Sequence, residues 1–130
     1  DVIVIAVGGG GIPVRENEQG NLEGCAAVID KDLASCLLAK NLQADLFIIS
    51  TGVDKVAVDF KKPTQRFLDK LTVAEAKKYL AEGQFPAGSM GPKIEAAIDF
   101  LEHGGKKVII TQPFLLEEAI AGRNGTHMVP

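Results

Sequence analysis

With 130 residues, 46% of them hydrophobic and a formal net charge of -3, the chain has enough apolar surface for one globular domain over residues 1–130 and is not a disordered tail. The weak acidity, without any run of about five or six like charges, excludes a general electrostatic pull toward nucleic acid or anionic membrane. No apolar run reaches the roughly 20 residues of a membrane-spanning helix, and there is no basic, apolar, small-residue leader, so a cytoplasmic protein without membrane partners is expected.

The chain opens at Asp1 without an initiator methionine, directly on an apolar run, and so reads as a piece of something longer. That run, residues 2–7 (VIVIAV), is continuous and β-branched, the pattern of a strand buried on both faces of a parallel sheet. Four glycines, Gly8 to Gly11, follow it, and then a polar, glycine-punctuated excursion over residues 13–24 reads as a long hairpin or loop. The first helix is expected over about residues 31–42, with Leu33, Cys36, Leu37 and Leu38 along one side. LFIIS (Leu46–Ser50) is a second strand, and residues 56–67 read as a strand followed by a turn at Pro63.

Thr72 with Glu75 has the spacing of a capping box, and the helix it opens runs through Val73, Ala76 and Leu80 to Gly83. A third helix has Pro92 at its first position, then Ile94, Ala97, Ile98 and Leu101 on one face, with Gly104 and Gly105 as the stop. KVIIT (Lys107–Thr111) is another strand, residues 113–121 form a last helix, and GTHMV adds a final edge strand. Strands alternating with helices define an α/β fold, a mainly parallel sheet with helices on both faces. Cys25 and Cys36 read as two reduced, buried thiols, and His103 and His127 are too far apart to suggest a zinc site.

Glycines at the end of a strand let backbone N–H groups approach an anion. A dinucleotide-binding turn would open a helix here, and a Walker loop would add a lysine and a hydroxyl residue, yet Ile12 and Pro13 follow instead. What remains is a glycine loop that either binds an anion or simply turns. Lys31, between Asp30 and Asp32, and Lys93 each fall in the first turn of a helix, where the macrodipole disfavours a cation. A solvated charge cluster explains either lysine alone. Together with the STGVDKV turn after the second strand and the glycine-rich loop GQFPAGSMGP, both lysines lie at strand carboxyl ends, where a phosphate would find ammonium groups and helix N-termini.

GGGGIPV, AVIDKDLAS, TGVDKV followed by KPTQ, and PAGSMGPKIEAA occur in the order and at the separations of carbamate kinases, within the amino acid kinase superfamily. The chain resembles the C-terminal, nucleotide-binding lobe of that family's α/β/α sandwich, somewhat under half of a whole enzyme, with the N-terminal lobe absent. The resemblance implies reversible phosphoryl transfer between ATP and carbamate, giving ADP and carbamoyl phosphate, with Mg2+ carried on the nucleotide. It further implies a place in arginine metabolism and a homodimer as the full-length enzyme. Carried over by motif, Lys31 and Lys93 would contact the transferring phosphoryl group and Asp32 would order the lysines. Gly9, Gly10 and Gly11 would face carbamate or carbamoyl phosphate, while Thr51, Gly52 and Val53, with Ala87, Met90 and Gly91, would flank the nucleotide. A non-catalytic nucleotide-binding module, or an amino acid kinase with another acceptor, is the alternative.

Overall fold

The structure is a computed structural model and describes residues 2–130; Asp1 lies outside the described residues. The chain first makes an antiparallel hairpin, β1 (Val14–Glu16) with β2 (Leu22–Gly24), where the sequence placed its polar excursion. Asn17 closes the turn, its Oδ1 accepting from the backbone N–H groups of Gln19 and Asn21 at 3.1 and 2.9 Å. Helix α1 (Lys31–Asn41) begins at Asp30, whose Oδ1 accepts from the N–H groups of Asp32 and Leu33 at 2.8 and 3.1 Å. Two of the four N–H groups that a helix start leaves unpaired are thereby satisfied.

Strand β3 (Leu46–Ser50) leads into a second hairpin, β4 (Ala57–Val58) with β5 (Arg66–Phe67). Next come β6 (Lys70–Thr72) and α2 (Val73–Ala81), opened by the expected capping box: Thr72 Oγ1 accepts from the Glu75 N–H, and a Glu75 carboxylate oxygen accepts from the Thr72 N–H. Helix α3 (Met90–Glu102), strand β7 (Lys107–Thr111), a 3-10 turn (Pro113–Leu115), helix α4 (Leu116–Ile120) and strand β8 (Thr126–Val129) complete the order.

The central sheet runs β3-β7-β8-β6. β3 is parallel to β7, with Leu46 opposite Lys107 and Ser50 opposite Thr111, and β6 is parallel to β8; only β7 and β8 are antiparallel. Val108 and Ile110 of β7 point into a core shared with Cys36, Ala76, Ile94, Ala97, Phe100 and Leu101 from α1, α2 and α3. Ile109, between them, is buried outside that cluster together with Ala119 of α4. Successive strand residues face opposite sides, so the helices cover both faces, as the α/β reading expects.

Three expectations are corrected. Residues 2–7 form no strand, and Val2, Ile3, Val4 and Ile5 are 77 to 96% exposed; a strand has no hydrogen bonds of its own, and no neighbour among the described residues pairs with this one. β8 is not an edge strand but lies between β7 and β6, with Thr126 and Met128 fully buried. Cys25 is only half-buried, because it follows an exposed hairpin rather than entering the core. In addition, α3 starts two residues before Pro92, the Gly91 N–H turning back to the Pro86 carbonyl at 2.9 Å.

Candidate functional site

Helices α1 and α3 begin at the same end of the molecule. There the Lys93 ammonium donates to Asp32 Oδ2 at 2.8 Å, with the two side chains only 14% and 13% exposed. Asp32 sits in the first turn of α1, where the positive helix end favours a carboxylate, whereas Lys93 sits in the first turn of α3, where it is disfavoured. The carboxylate offsets that penalty and fixes the ammonium in position. Lys31 stands beside this pair at the start of α1, its side chain exposed to solvent.

Further along the same two helices a second cluster holds them together. Cys36 Sγ donates to Asp99 Oδ2 at 3.3 Å, the Lys40 ammonium donates to the same oxygen at 2.6 Å, and His103 Nδ1 lies 2.9 Å from Oδ1. Asp32, Cys36 and Lys40 are spaced one turn apart, so one stripe of α1 meets α3 twice. The Lys40 ammonium holds the Asp99 carboxyl below its ordinary range, and the carboxylate in turn raises Lys40. Burial, aided by Asp99, pushes the Cys36 thiol up to about 12. This cysteine is a packing residue, not a nucleophile.

A cleft of about 420 Å³ opens beside Lys93. Its floor and walls come from the turn after β3, the second hairpin and the loop entering α3. Of the residues singled out in the sequence, Thr51, Gly52, Val53, Met90 and Lys93 line it. Ala87 lies between lining residues Pro86 and Gly88 but does not line the cleft itself, and neither does Gly91, which is buried against the loop backbone. A Cβ on Gly91 would lie 3.2 Å from the Pro86 carbonyl oxygen, so this glycine permits the close approach of loop and helix.

The cleft also contains residues the sequence reading did not assign: Lys55, Phe60, Phe67 and Gln84. Phe60 lies between Asp59 and Lys61, both left-handed with φ of 52° and 62°. The Asp59 N–H is held by Gln84 Oε1 at 2.8 Å, so the hairpin turn is tied to the opposite wall. The available signal was two phenylalanines in an otherwise polar stretch around Pro63. An exposed hairpin has little reason to carry both unless they face something.

The sequence profile of the amino acid kinase family matches residues 1–112. The chain belongs to the amino acid kinase family. Within it, the chain is 50% identical over 127 residues to the carbamate kinase-like protein YahI of Escherichia coli K12 and 52% identical over 128 residues to a carbamate kinase of Thermoplasma volcanium. Each match covers 98% of this chain but only 40% and 42% of the relative. Among solved structures, carbamate kinase from Giardia lamblia bound to AMP-PNP superposes with a TM-score of 0.93 at 43% identity, over 98% of this chain and 40% of that one. This amino acid kinase chain thus spans about two fifths of the length of the relatives it matches.

In this amino acid kinase chain the four glycines lie outside the cleft, and of them only Gly10 packs against the segment entering α1. The Gly10 N–H donates to the Val7 carbonyl at 2.9 Å. With φ at +93°, a Cβ on Gly10 would lie 2.4 Å from the Ile29 carbonyl oxygen, so no other residue fits this turn without movement. Gly9 and Gly11 flank it, both exposed, and Ile29, which Gly10 approaches, directly precedes the Asp30 cap of α1. Among the described residues no cluster of three His, Cys, Asp or Glu side chains could cage a metal, and Asp32, the carboxylate at the site, already accepts from Lys93. A magnesium ion carried on nucleotide phosphates needs few protein carboxylates.

Proposed function

We propose that the chain is the nucleotide-holding lobe of a carbamate kinase, acting in reversible phosphoryl transfer between ATP and carbamate. The observation that carries this reading is the Asp32–Lys93 pair, whose lysine lines a cleft walled by Val53, Phe60, Phe67 and Phe85. Flat apolar walls with ammonium groups and no lining carboxylate suit a nucleotide, whose base is planar and whose far end is anionic. Identity near 50% to carbamate kinases supports carbamate over another acceptor.

In the reaction, a carbamate oxygen attacks the terminal phosphorus of ATP while the bond to the bridging oxygen of ADP breaks. The transition state is loose, with negative charge on the transferring oxygens and on the leaving oxygen. Lys93, held by Asp32, supplies a positioned point charge for it, and Lys31, one residue away on the exposed side, supplies a second once the phosphates arrive. Lysine suits this role as a compact cation. Carbamate is already an anion, so no histidine base is needed. Magnesium bound to the phosphates would neutralise the nucleotide. Gly9 and Gly11 would offer backbone N–H groups to carbamate, while Gly10, whose N–H is taken by the Val7 carbonyl, would shape the turn between them. The whole enzyme would be a cytoplasmic homodimer, the lobe outside this chain completing the acceptor site.

The test is a coupled assay for ATP formed from ADP and carbamoyl phosphate by the full-length polypeptide that carries this chain. Turnover specific for carbamoyl phosphate is expected. Nucleotide binding without turnover by that polypeptide would reduce the protein to a binding module, and turnover with another acyl phosphate would reassign the acceptor.

A further inference from the structure

We propose that Lys55 is a second cation of the nucleotide cleft, parked on Asp69 until the anionic end of a nucleotide draws it away. This rests on the nucleotide reading above and adds a role for Lys55, which lies within the TGVDKV motif, and an exchange that the resemblance did not imply.

The cleft wall contains two charged side chains, Lys55 and Lys93, both cationic. Lys93 is committed: its carboxylate partner is as buried as it is. Lys55 is differently placed. It pairs with Asp69, whose side chain is 82% exposed, while the lysine itself is 28% exposed. Water solvates such a carboxylate almost as well as an ammonium does, so releasing the lysine costs little.

The backbone beneath both residues is fixed. The Val56 N–H donates to buried Thr126 Oγ1 at 2.8 Å, the Leu68 N–H donates to the Val56 carbonyl at 2.8 Å, and the His127 N–H donates to the Asp69 carbonyl at 2.9 Å. Lys55 and Asp69 therefore sit side by side on anchored chain, and only the four-carbon arm of the lysine can move. A phosphate in the apolar cleft offers that arm more negative charge than Asp69 does, in a medium that screens it less.

Calorimetric titration of the protein with ADP and with adenosine tests the exchange. Lys55→Met is expected to weaken ADP binding about tenfold while leaving adenosine unchanged, and Lys55→Arg to retain most of the ADP affinity. Asp69→Asn, which frees the ammonium, is expected to tighten ADP about two- to fivefold. Equal ADP affinity in wild type and Lys55→Met overturns the proposal. An equal loss of ADP and adenosine does so too, since the side chain would then be packing against base or ribose. Weaker ADP binding in Asp69→Asn overturns the parking role. If the wild-type protein binds neither ligand, the nucleotide reading itself falls, and this proposal with it.

Discussion

Asp32 and Lys93 stand 61 residues apart in sequence and meet at 2.8 Å, each the partly buried first-turn residue of its own helix. In the full-length polypeptide, Lys93→Ala is expected to lower phosphoryl transfer at least about a hundredfold, the usual effect of removing one preorganised charge from a transition state. Asp32→Asn leaves the ammonium without its fixed partner and should lower turnover more than it weakens nucleotide binding. Steady-state kinetics with ADP and carbamoyl phosphate decide this. Rates within threefold or so of wild type in both variants would remove the pair from the mechanism.

The two cysteines should be told apart by thiol titration. Cys36 is fully buried and its thiol is pushed up to about 12, whereas Cys25 is half-exposed. At about pH 8 a thiol of that acidity is almost wholly protonated, and thiolate is the reactive form. One equivalent should react rapidly in native protein and two in denaturant. Two fast equivalents under native conditions would contradict the burial of Cys36 beneath α3.

The Lys40–Asp99 pair gives the α1–α3 interface a defined pH window. Asp99 is depressed from its ordinary 3.8, so its contribution is present above that value and fades as pH falls through the lower native one. Lys40 is raised above 10.5, so its share is present below that value and fades only in stronger alkali. Asp99→Asn should therefore lower the urea midpoint at neutral pH, with a gap from wild type that narrows at about pH 2.5. A gap of unchanged size in acid would mean that packing, not charge, links the helices there.

Helix α3 was legible because Ile94, Ala97, Ile98 and Leu101 repeat at the helical period, and α2 because the capping box is a local chemical signature. The Asp32–Lys93 contact has no such local signal; motif resemblance brought the two residues together, and the packing of α1 on α3 gives the geometry. Phe60 and Phe67 escaped notice because a hairpin of two-residue strands has no periodicity, and the direction of Phe60 follows from left-handed neighbours that sequence does not announce. Residues 2–7 were misread as a formed strand for the opposite reason: their pattern is that of a strand, but a strand exists only when something pairs with it.

That same segment yields the last prediction. Val2 to Ile5, Ile12 and Val28 are exposed, Leu33 and Leu37 of α1 and Leu42 just beyond it are 45 to 70% exposed, and β3 ends the sheet with an open edge. Exposed apolar side chains in such number and an unpaired strand edge normally have a cover. In the relatives, about three fifths of the polypeptide lies outside the part this chain matches, and that portion would supply it. The 130-residue chain on its own should then self-associate as concentration rises. Leu37→Glu, which places a charge on the exposed side of α1 without touching the core, should reduce the association seen by sedimentation. A chain that stays monomeric over a hundredfold or so range of concentration, and gains nothing from Leu37→Glu, would show that the surface needs no cover.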